Sequence, residues 1–568
     1  MSEVADRAVP AAAIKPKLSR DDVIMRLFMG VIGLYLVVTL ALPLYIMLSK
    51  SFQDHDGNFI GVVNYLEYFG TPALFYSINN SLYVATLTTL ITVTLAFTFA
   101  YAITRSCVPF KGLFKVIAMI PILVPSLLPG IALVYLFGNQ GLIKGLLFGH
   151  SIYGPIGIVI SEVFFTLPHA IIIIVTALSI ADSRLYEAAV ALRATKLKIF
   201  FTVTLPGCRY GLISAAFVVF TLAITDFGAP KVIGGDFNVL ATDIYKQVIG
   251  QQNFEMGAVV SVVLLIPAVF AFAVDRFVQK RQVALLSASA VTLEPRPSRR
   301  FDMTMLSYLI LISIFLVGML GVCQYAALIK FYPYDLSWSL RNYQFDLMDG
   351  GGWEAYWNSI RMATYSAIFG TIVVFTGAYM VEKGRGFDQG RAVFQFLAMM
   401  PMAVPGLVLG LAYIFFFNHP DNPLNFLYST MAILVISTVV HFYTVAHLTA
   451  LTALKQMDPE FEAVSASLKQ PFYKTFWRVT VPVCLPAIFD ISIYLFVNAM
   501  TTVSAVVFLY GPDTALASVA VLNMDDAGDI APAAAMGMMI FYTAAGVRIL
   551  HYFVSRLIER RTQRWRVR

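Results

Sequence analysis

Charged residues are scarce in this chain, and several common signatures of catalysis are absent from it. Only 13% of its 568 residues are Asp, Glu, Lys or Arg, whereas about a quarter are charged in a typical soluble domain. The four cysteines have no CxxC spacing, and neither HExxH nor GxSxG occurs. No GxxxxGK[ST] loop is present to cradle nucleotide phosphates. These absences argue against a soluble domain, an intramembrane hydrolase and a metal enzyme.

Long apolar runs dominate what is present. Hydrophobic residues make up 59% of the chain, and the mean hydropathy is +0.76. A helix needs about 20 apolar residues to cross the hydrocarbon core, and twelve runs meet this requirement. The sequence therefore predicts an all-α integral membrane protein with about twelve transmembrane helices. The predicted spans are residues 25–48, 80–104, 114–138, 153–180, 210–228, 257–279, 304–330, 358–382, 393–417, 427–453, 485–510 and 531–555.

The spans fall into two sets of six. We predict a cytoplasmic tail (1–22), a first half (23–280), a cytoplasmic linker (281–303), a second half (304–557) and a basic tail (558–568). Lys and Arg concentrate in the tails and in alternate short loops, which by the positive-inside rule predicts that both termini are cytoplasmic. The same rule explains the net charge of +7 without a nucleic-acid partner. The first apolar run is too long for a signal-peptide core.

Two blocks of sequence recur in the two halves. Residues 80–101 match residues 358–379, and residues 119–130 match residues 399–410, with constant internal spacing. Because each half has an even number of spans, the copies face the same way and form a parallel repeat. The dense prolines in the second block predict that the third and ninth spans are bent.

Two charged islands interrupt the apolar runs at matched positions. The first island comprises residues 182–206 and the second island residues 458–482, and they are equally long. Asp182 and Asp458 are helix-capping residue types, so a short helix is predicted after each. The islands also carry small, basic and aromatic residues typical of protein interfaces. One interpretation is an amphipathic loop on lipid headgroups, but two matched islands favour two docking points for one kind of partner.

The islands carry a resemblance to a known family. The pattern Glu187-Ala188-Ala189, Leu192 and Leu205-Pro206 resembles the EAA loop of ATP-binding-cassette importer permeases, and the second island is similar. The resemblance implies two fused permease halves of the type I importer fold, with a coupling helix in each island. The residues that it implies for docking are Glu187, Ala188, Ala189, Leu192, Arg193, Pro206, Glu462, Ala463, Leu468, Lys469 and Pro482.

The resemblance also implies partners and a location. It implies two copies of an ABC ATPase subunit, which would hold ATP and Mg, together with an extracytoplasmic substrate-binding protein. The chain itself is expected to bind no cofactor, metal or nucleic acid. It is expected in the lipid bilayer of the bacterial inner membrane, as a multi-pass pore subunit and not an enzyme.

The islands depart from the family pattern in two respects. Arg193 and Lys469 stand where a glycine usually follows the leucine, which predicts that each helix runs on without the usual break. In the second island Glu462 sits one position earlier than the corresponding glutamate. We therefore expect the two ATPase contacts to be inequivalent.

A few polar residues lie within the predicted spans, where such residues are costly and often mark a transport path. The most prominent is Asp226, although a helix-end residue that faces water is an equally good interpretation. Histidines in such positions are more often satisfied residues of the helix bundle, and His169 and His447 fall in this class. The residues that we assign to a substrate path are Asp226, Thr225, Glu162 and His441.

The sequence defines the cargo less closely than it defines the fold. Fused double permeases of this layout resemble those for ferric iron and those for 2-aminoethylphosphonate. The segment 226–258 looks closer to the second group, so phosphonate uptake is the expected function and ferric iron the alternative. A secondary transporter of twelve spans is a further alternative, but it has no need of two matched islands.

Overall fold

The computed structural model of the protein describes residues 19–283, 293–384 and 386–562. Most of the predicted N-terminal tail, part of the linker and most of the basic C-terminal tail lie outside these residues. Within the described residues the regular secondary structure is helical apart from one short antiparallel hairpin, formed by Ile329–Phe331 and Asp335–Trp338, and an isolated β-bridge between Gln53 and Phe59.

Twelve membrane spans are present if each sharply bent helix pair counts as one span. Eight spans are single helices. They are span 1 (Arg20–Lys50), span 2 (Pro72–Arg105), span 4 (Pro155–Ser179), span 5 (Lys196–Thr225), span 6 (Phe254–Gln279), span 7 (Arg299–Leu328), span 8 (Gly352–Lys383) and span 12 (Ile530–Ile558).

The other four spans are bent pairs. They are span 3 (Lys111–Leu123 with Leu127–Phe137, 101°), span 9 (Asp388–Ala403 with Gly406–Phe417, 112°), span 10 (Met431–His441 with Tyr443–Lys455, 57°) and span 11 (Phe472–Val483 with Leu485–Thr501, 76°). The predicted bends in spans 3 and 9 are confirmed. Those in spans 10 and 11 were not predicted.

Short helices connect the spans. They are Val63–Gly70, Lys144–Leu147, Ser183–Ala191, Gly228–Ile233, Leu240–Tyr245, Arg341–Tyr343, Phe345–Leu347, Asn425–Leu427, Glu460–Ser467, Pro512–Thr514 and Ala517–Asp526. Spans 5 and 11 begin inside the islands, earlier than predicted, because π-helical turns at Phe200–Thr204 and Phe476–Thr480 carry the helix through.

Prolines cause the breaks in spans 3 and 9. Val124 precedes Pro125 and is extended (φ −118°, ψ 135°), and Val404 precedes Pro405 with a similar backbone (φ −104°, ψ 114°). A residue before proline disfavours the helical conformation, and proline itself has no N–H to donate. The same Val-Pro step therefore breaks the helix in both halves.

The first span of each half packs against the other half. Met29 and Leu36 of span 1 share a buried apolar cluster with Phe375 and Phe394 of the second half. In span 7, the Tyr308 hydroxyl donates a hydrogen bond to the backbone carbonyl of Leu95 in the first half at 2.7 Å. The two halves are therefore interleaved, although the predicted boundaries divide them cleanly in sequence.

The repeat extends to specific hydrogen bonds. Ser81 Oγ accepts a hydrogen bond from the N–H of Leu240 at 2.8 Å, and Ser359 Oγ accepts one from the N–H of Ala517 at 2.8 Å. The first bond joins the segment after span 5 to span 2, and the second joins the segment after span 11 to span 8. The predicted parallel repeat is thus present in the packing as well as in the sequence.

Candidate functional site

A short capped helix opens each island, as predicted. Asp182 Oδ1 accepts a hydrogen bond from the N–H of Arg184 at 3.1 Å, and the helix Ser183–Ala191 follows. Asp458 Oδ1 accepts one from the N–H of Glu460 at 2.9 Å, where the helix Glu460–Ser467 begins. An aspartate at this position satisfies an N–H group that would otherwise lack a partner.

Both helices stop at the position where the sequence predicted that they would run on. Arg193 has φ 53° and Lys469 has φ 52°, so each basic residue adopts the left-handed conformation that glycine usually supplies. In the first island the N–H of Arg193 bonds to the Val190 carbonyl at 2.9 Å, and the next N–H bonds to the Ala189 carbonyl at 3.0 Å. The prediction of an uninterrupted helix is wrong, because this pair of hydrogen bonds closes the helix despite the side chain.

The islands expose apolar side chains at matched positions. Leu192 and Leu468, which end the two helices, are 83% and 65% exposed. The predicted docking residues Glu187, Ala188, Arg193, Pro206, Ala463, Lys469 and Pro482 are also exposed, whereas Ala189 and Glu462 are half-buried. We call the exposed apolar residues the docking face. It consists of Leu185, Val190, Leu192, Leu197 and Phe201 in the first island, and of Phe461, Val464, Leu468, Tyr473 and Trp477 in the second.

The two islands are attached to the bundle by different contacts. At the end of span 2, the Arg105 guanidinium lies 5.4 Å from the ring centroid of Tyr186 in the first island. At the end of span 8, Lys383 Nζ pairs with Glu462 Oε1 at 2.6 Å. Glu462 is thus committed to an internal ion pair, while Glu187 remains exposed. Inequivalent ATPase contacts stay a prediction.

Two of the predicted path residues come together inside the first half of the protein. Glu162 of span 4 is fully buried and interacts electrostatically with Asp226, which follows span 5. Asp226 also interacts with Ser126 at the break of span 3, and its Oδ2 accepts a hydrogen bond from the N–H of Ala229 at 2.9 Å. Asp226 is thus a half-buried helix-end residue whose carboxyl group bonds to neighbouring parts of the protein. We call Glu162 and Asp226 the carboxyl pair.

The other predicted path residues lie elsewhere or bond locally. Thr225 Oγ1 donates to the Thr221 carbonyl within its own helix at 2.7 Å. His441 is in the second half, at the break of span 10, with its ring centroid 4.7 Å from that of Phe442. His447 stacks on Tyr443 at 5.6 Å. These side chains contact the helix bundle, but the expectation of satisfied histidines is wrong. The Nδ1 atoms of His169 and His441 and both ring nitrogens of His447 are buried without a hydrogen-bond partner among the described residues.

A set of contacts between the two halves lies at the opposite end of spans 5 and 11 from the islands. Lys231 Nζ of the first half pairs with Asp526 Oδ1 of the second at 2.8 Å. Lys231 Nζ also lies 5.2 Å from the ring centroid of Tyr245, which in turn stacks on Phe508 of the second half at 6.2 Å. We call Lys231, Tyr245, Phe508 and Asp526 the distal clasp. It was not predicted, because ion pairs so distant in sequence leave no local pattern.

A neighbouring carboxyl group competes little for the lysine of the distal clasp. Burial raises the pKa of Asp525 to about 7, with the Asp526 charge adding to the shift and Lys231 opposing it. The raised pKa favours the neutral form of Asp525, and the ion pair of Lys231 is with Asp526.

These features define a class of protein. The described residues form twelve spans in two parallel units, with two exposed islands at one end and the distal clasp at the other. This is the architecture of a membrane transport permease built from two fused units. The chain belongs to the family of binding-protein-dependent transport system inner membrane components, whose pattern it matches twice, over residues 93–283 and 374–561.

Curated relatives agree with this assignment. A ferric transport system permease protein of Actinobacillus pleuropneumoniae is 28% identical over 86% of this chain and 72% of that protein. A putative ferric transport system permease protein of Haemophilus influenzae is 28% identical over 77% of this chain and 70% of that protein. A spermidine/putrescine permease protein of the same organism is 25% identical over 42% of this chain and 89% of that protein.

The helix ends of the islands yield a test by substitution. We expect Arg193→Gly to stabilise the helix Ser183–Ala191 by about 1 kcal/mol, because glycine adopts the left-handed conformation without the steric cost of a Cβ atom. Amide exchange of residues 183–191 should slow accordingly. Arg184→Gly, inside the same helix, is the control and should accelerate exchange. Equal amide exchange rates in Arg193→Gly and the wild type would contradict the claim that the left-handed conformation of Arg193 destabilises the helix end.

The distal clasp can be tested by a double-mutant cycle. Lys231→Met, Asp526→Asn and the double variant should give a coupling energy of about 1 kcal/mol, at the upper end for an ion pair that is not fully buried. The measurement is the free energy of unfolding of the purified permease in detergent. The control is the Lys330–Asp335 pair, which is more exposed and lies within one hairpin. A coupling no larger than that of the control would show that the ion pair does not hold the halves together.

Proposed function

We propose that this chain is the permease subunit of an ATP-driven, binding-protein-dependent importer of ferric iron. Family membership supports the importer, and the two islands with matched exposed leucines support two docking points. Two relatives that share more than two thirds of their length with this chain carry ferric names. The proposed role is conduction of a solute without bond chemistry in this chain.

The proposed partners follow from the location of the surfaces. Two ATPase subunits, which would carry ATP and Mg, seat on the docking face of the two islands. Movement of each island is passed to the bundle through Arg105–Tyr186 in the first half and Lys383–Glu462 in the second. A substrate-binding protein approaches the opposite end, where the distal clasp joins the halves. In this proposal the islands and both termini lie in the cytoplasm of a bacterial cell, and the chain lies in the inner membrane.

Ferric iron is favoured over phosphonate as the cargo. Relatives with high coverage name ferric transport. Uptake of 2-aminoethylphosphonate is the second candidate, because segment 226–258 resembles such permeases. Family membership leaves no support for the secondary transporter.

Docking of the ATPase can be tested on the exposed leucines. Leu192→Asp and Leu468→Asp should each weaken co-purification of the ATPase by about tenfold, because each removes an exposed apolar anchor and introduces a charge. The double variant should abolish it. Leu66→Asp is the control, since Leu66 is 68% exposed at the far end of span 1 from the islands. Full co-purification of the double variant would contradict the docking face.

The cargo can be tested by growth. A strain without this permease should fail under iron starvation and grow normally with 2-aminoethylphosphonate as the sole phosphorus source. Re-expression of the permease should restore growth. A growth defect only with 2-aminoethylphosphonate as the phosphorus source would contradict ferric iron as the cargo and support the phosphonate. Normal growth in both media would overturn both assignments.

A further inference from the structure

The first span of each half carries an exposed stripe of apolar residues. In span 7 the exposed residues Leu311, Ile314, Val317 and Gly321 recur at intervals of three and four, which places them on one face of the helix. The outer surface of a membrane helix bundle meets lipid chains, which are as apolar as leucine. Each stripe therefore marks a lipid-facing surface. The stripe of span 1 comprises Leu27, Val31, Leu34, Leu42, Tyr45 and Leu48.

Each stripe leads into an aromatic pair at the distal end of its span, away from the islands. Tyr325 continues the stripe of span 7 by one turn, and its ring centroid lies 6.3 Å from that of Trp338 in the hairpin that follows. Phe52 comes just after span 1, and its ring stacks on Phe59 at 6.5 Å. Trp338 and Phe59 are 73% and 78% exposed. The apolar outer surface thus continues from each span onto the segment after it.

A buried asparagine holds each of these segments against the end of its span. Asn342 Nδ2 donates to the carbonyl of Ile329 at 2.7 Å, and Asn64 Nδ2 donates to the carbonyl of Gln53 at 2.8 Å. Each amide also donates to a second carbonyl at 3.2 Å. Carbonyls at the end of a helix lack partners within the helix. The asparagines supply those partners and keep both segments at the level where the span ends.

The residues of the hairpin suit the level of lipid headgroups. Its Phe331 and Tyr334 rings stack at 5.8 Å, and both are mainly exposed. Its two charged side chains, Lys330 and Asp335, pair with each other at 3.0 Å, so their charges largely cancel. Aromatic rings with a polar group are favoured at the boundary between acyl chains and headgroups. Span 7 ends at Leu328, directly before the hairpin, which places the hairpin at that boundary.

We propose that two aromatic anchors bind lipid in the distal leaflet of the membrane. The first anchor is the Phe52–Phe59 pair, and the second is the Tyr325–Trp338 pair with Phe331. Their partner is the boundary between acyl chains and headgroups. The anchors fix the distal ends of spans 1 and 7, the two spans that pack against the opposite half. They act independently of the cargo and of the ATPase.

The test is quenching of Trp338 fluorescence in the full-length permease in lipid nanodiscs. Five tryptophans occur in the chain, so replacing the other four by phenylalanine leaves Trp338 alone. We expect phosphatidylcholine brominated near the headgroup end of its acyl chains to remove about half or more of this emission, and aqueous iodide to remove little. The matched control keeps only Trp353, whose ring packs on that of Phe345 at 4.9 Å. Brominated lipid should quench the control less.

A second comparison keeps the test valid if the variant with a single tryptophan misfolds. Trp338→Phe should then lose the part of the wild-type emission that brominated lipid quenches most strongly. Strong quenching of Trp338 by iodide, with weak quenching by brominated lipid, would overturn the anchor. Shielding from iodide only after addition of the substrate-binding protein would assign the surface to that protein and would overturn the anchor as well. The assay needs neither ATP nor cargo, so its failure is distinct from a failure of the growth test.

Discussion

Backbone groups at membrane depth must find partners inside the protein, and the breaks in spans 3 and 9 are the places where this constraint is most severe. Both breaks occur at a Val-Pro step, and both are covered by close approach of another segment. A Cβ atom on Gly228 would overlap Ser126 Oγ, and one on Gly406 would overlap Ser504 Oγ. In the first half the serine lies at the break of the span and the glycine on the approaching segment, and in the second half these positions are exchanged. The glycine–serine contact itself is the same in both halves. This packing encloses the irregular backbone and places Asp226 beside the break.

A fused chain allows two copies of one architecture to diverge. The first half holds its island through Arg105 and Tyr186, while the second uses the ion pair of Lys383 and Glu462. The N–H of Phe472 in the second island also bonds to Asp21 of span 1 at 2.9 Å. The first half alone carries the carboxyl pair. A homodimer encoded by a single gene could not carry such differences, because every substitution would appear in both copies.

Much of the fold follows from patterns that are local in sequence. Apolar runs, the proline-rich repeat and the aspartates before the island helices predict the spans, two of the bends and the helix starts. The stop at Arg193 could not be predicted from residue type, because an arginine there is held in a left-handed conformation by two backbone hydrogen bonds. The sequence indicates Glu162 and Asp226 as separate candidate residues. Their contact could not be predicted, because it depends on the packing of helices that are distant in sequence. The Lys231–Asp526 pair and the interleaving of spans 1 and 7 depend on contacts between segments far apart in the chain.

The central proposal is that ATPase subunits seated on the islands drive ferric iron through this chain toward the island side. Uptake of ⁵⁵Fe³⁺ into proteoliposomes that contain the permease and its ATPase tests it most directly. The account predicts uptake only with ATP on the island side and the iron-loaded binding protein on the opposite side. Uptake driven by an ion gradient in the absence of ATP would contradict it.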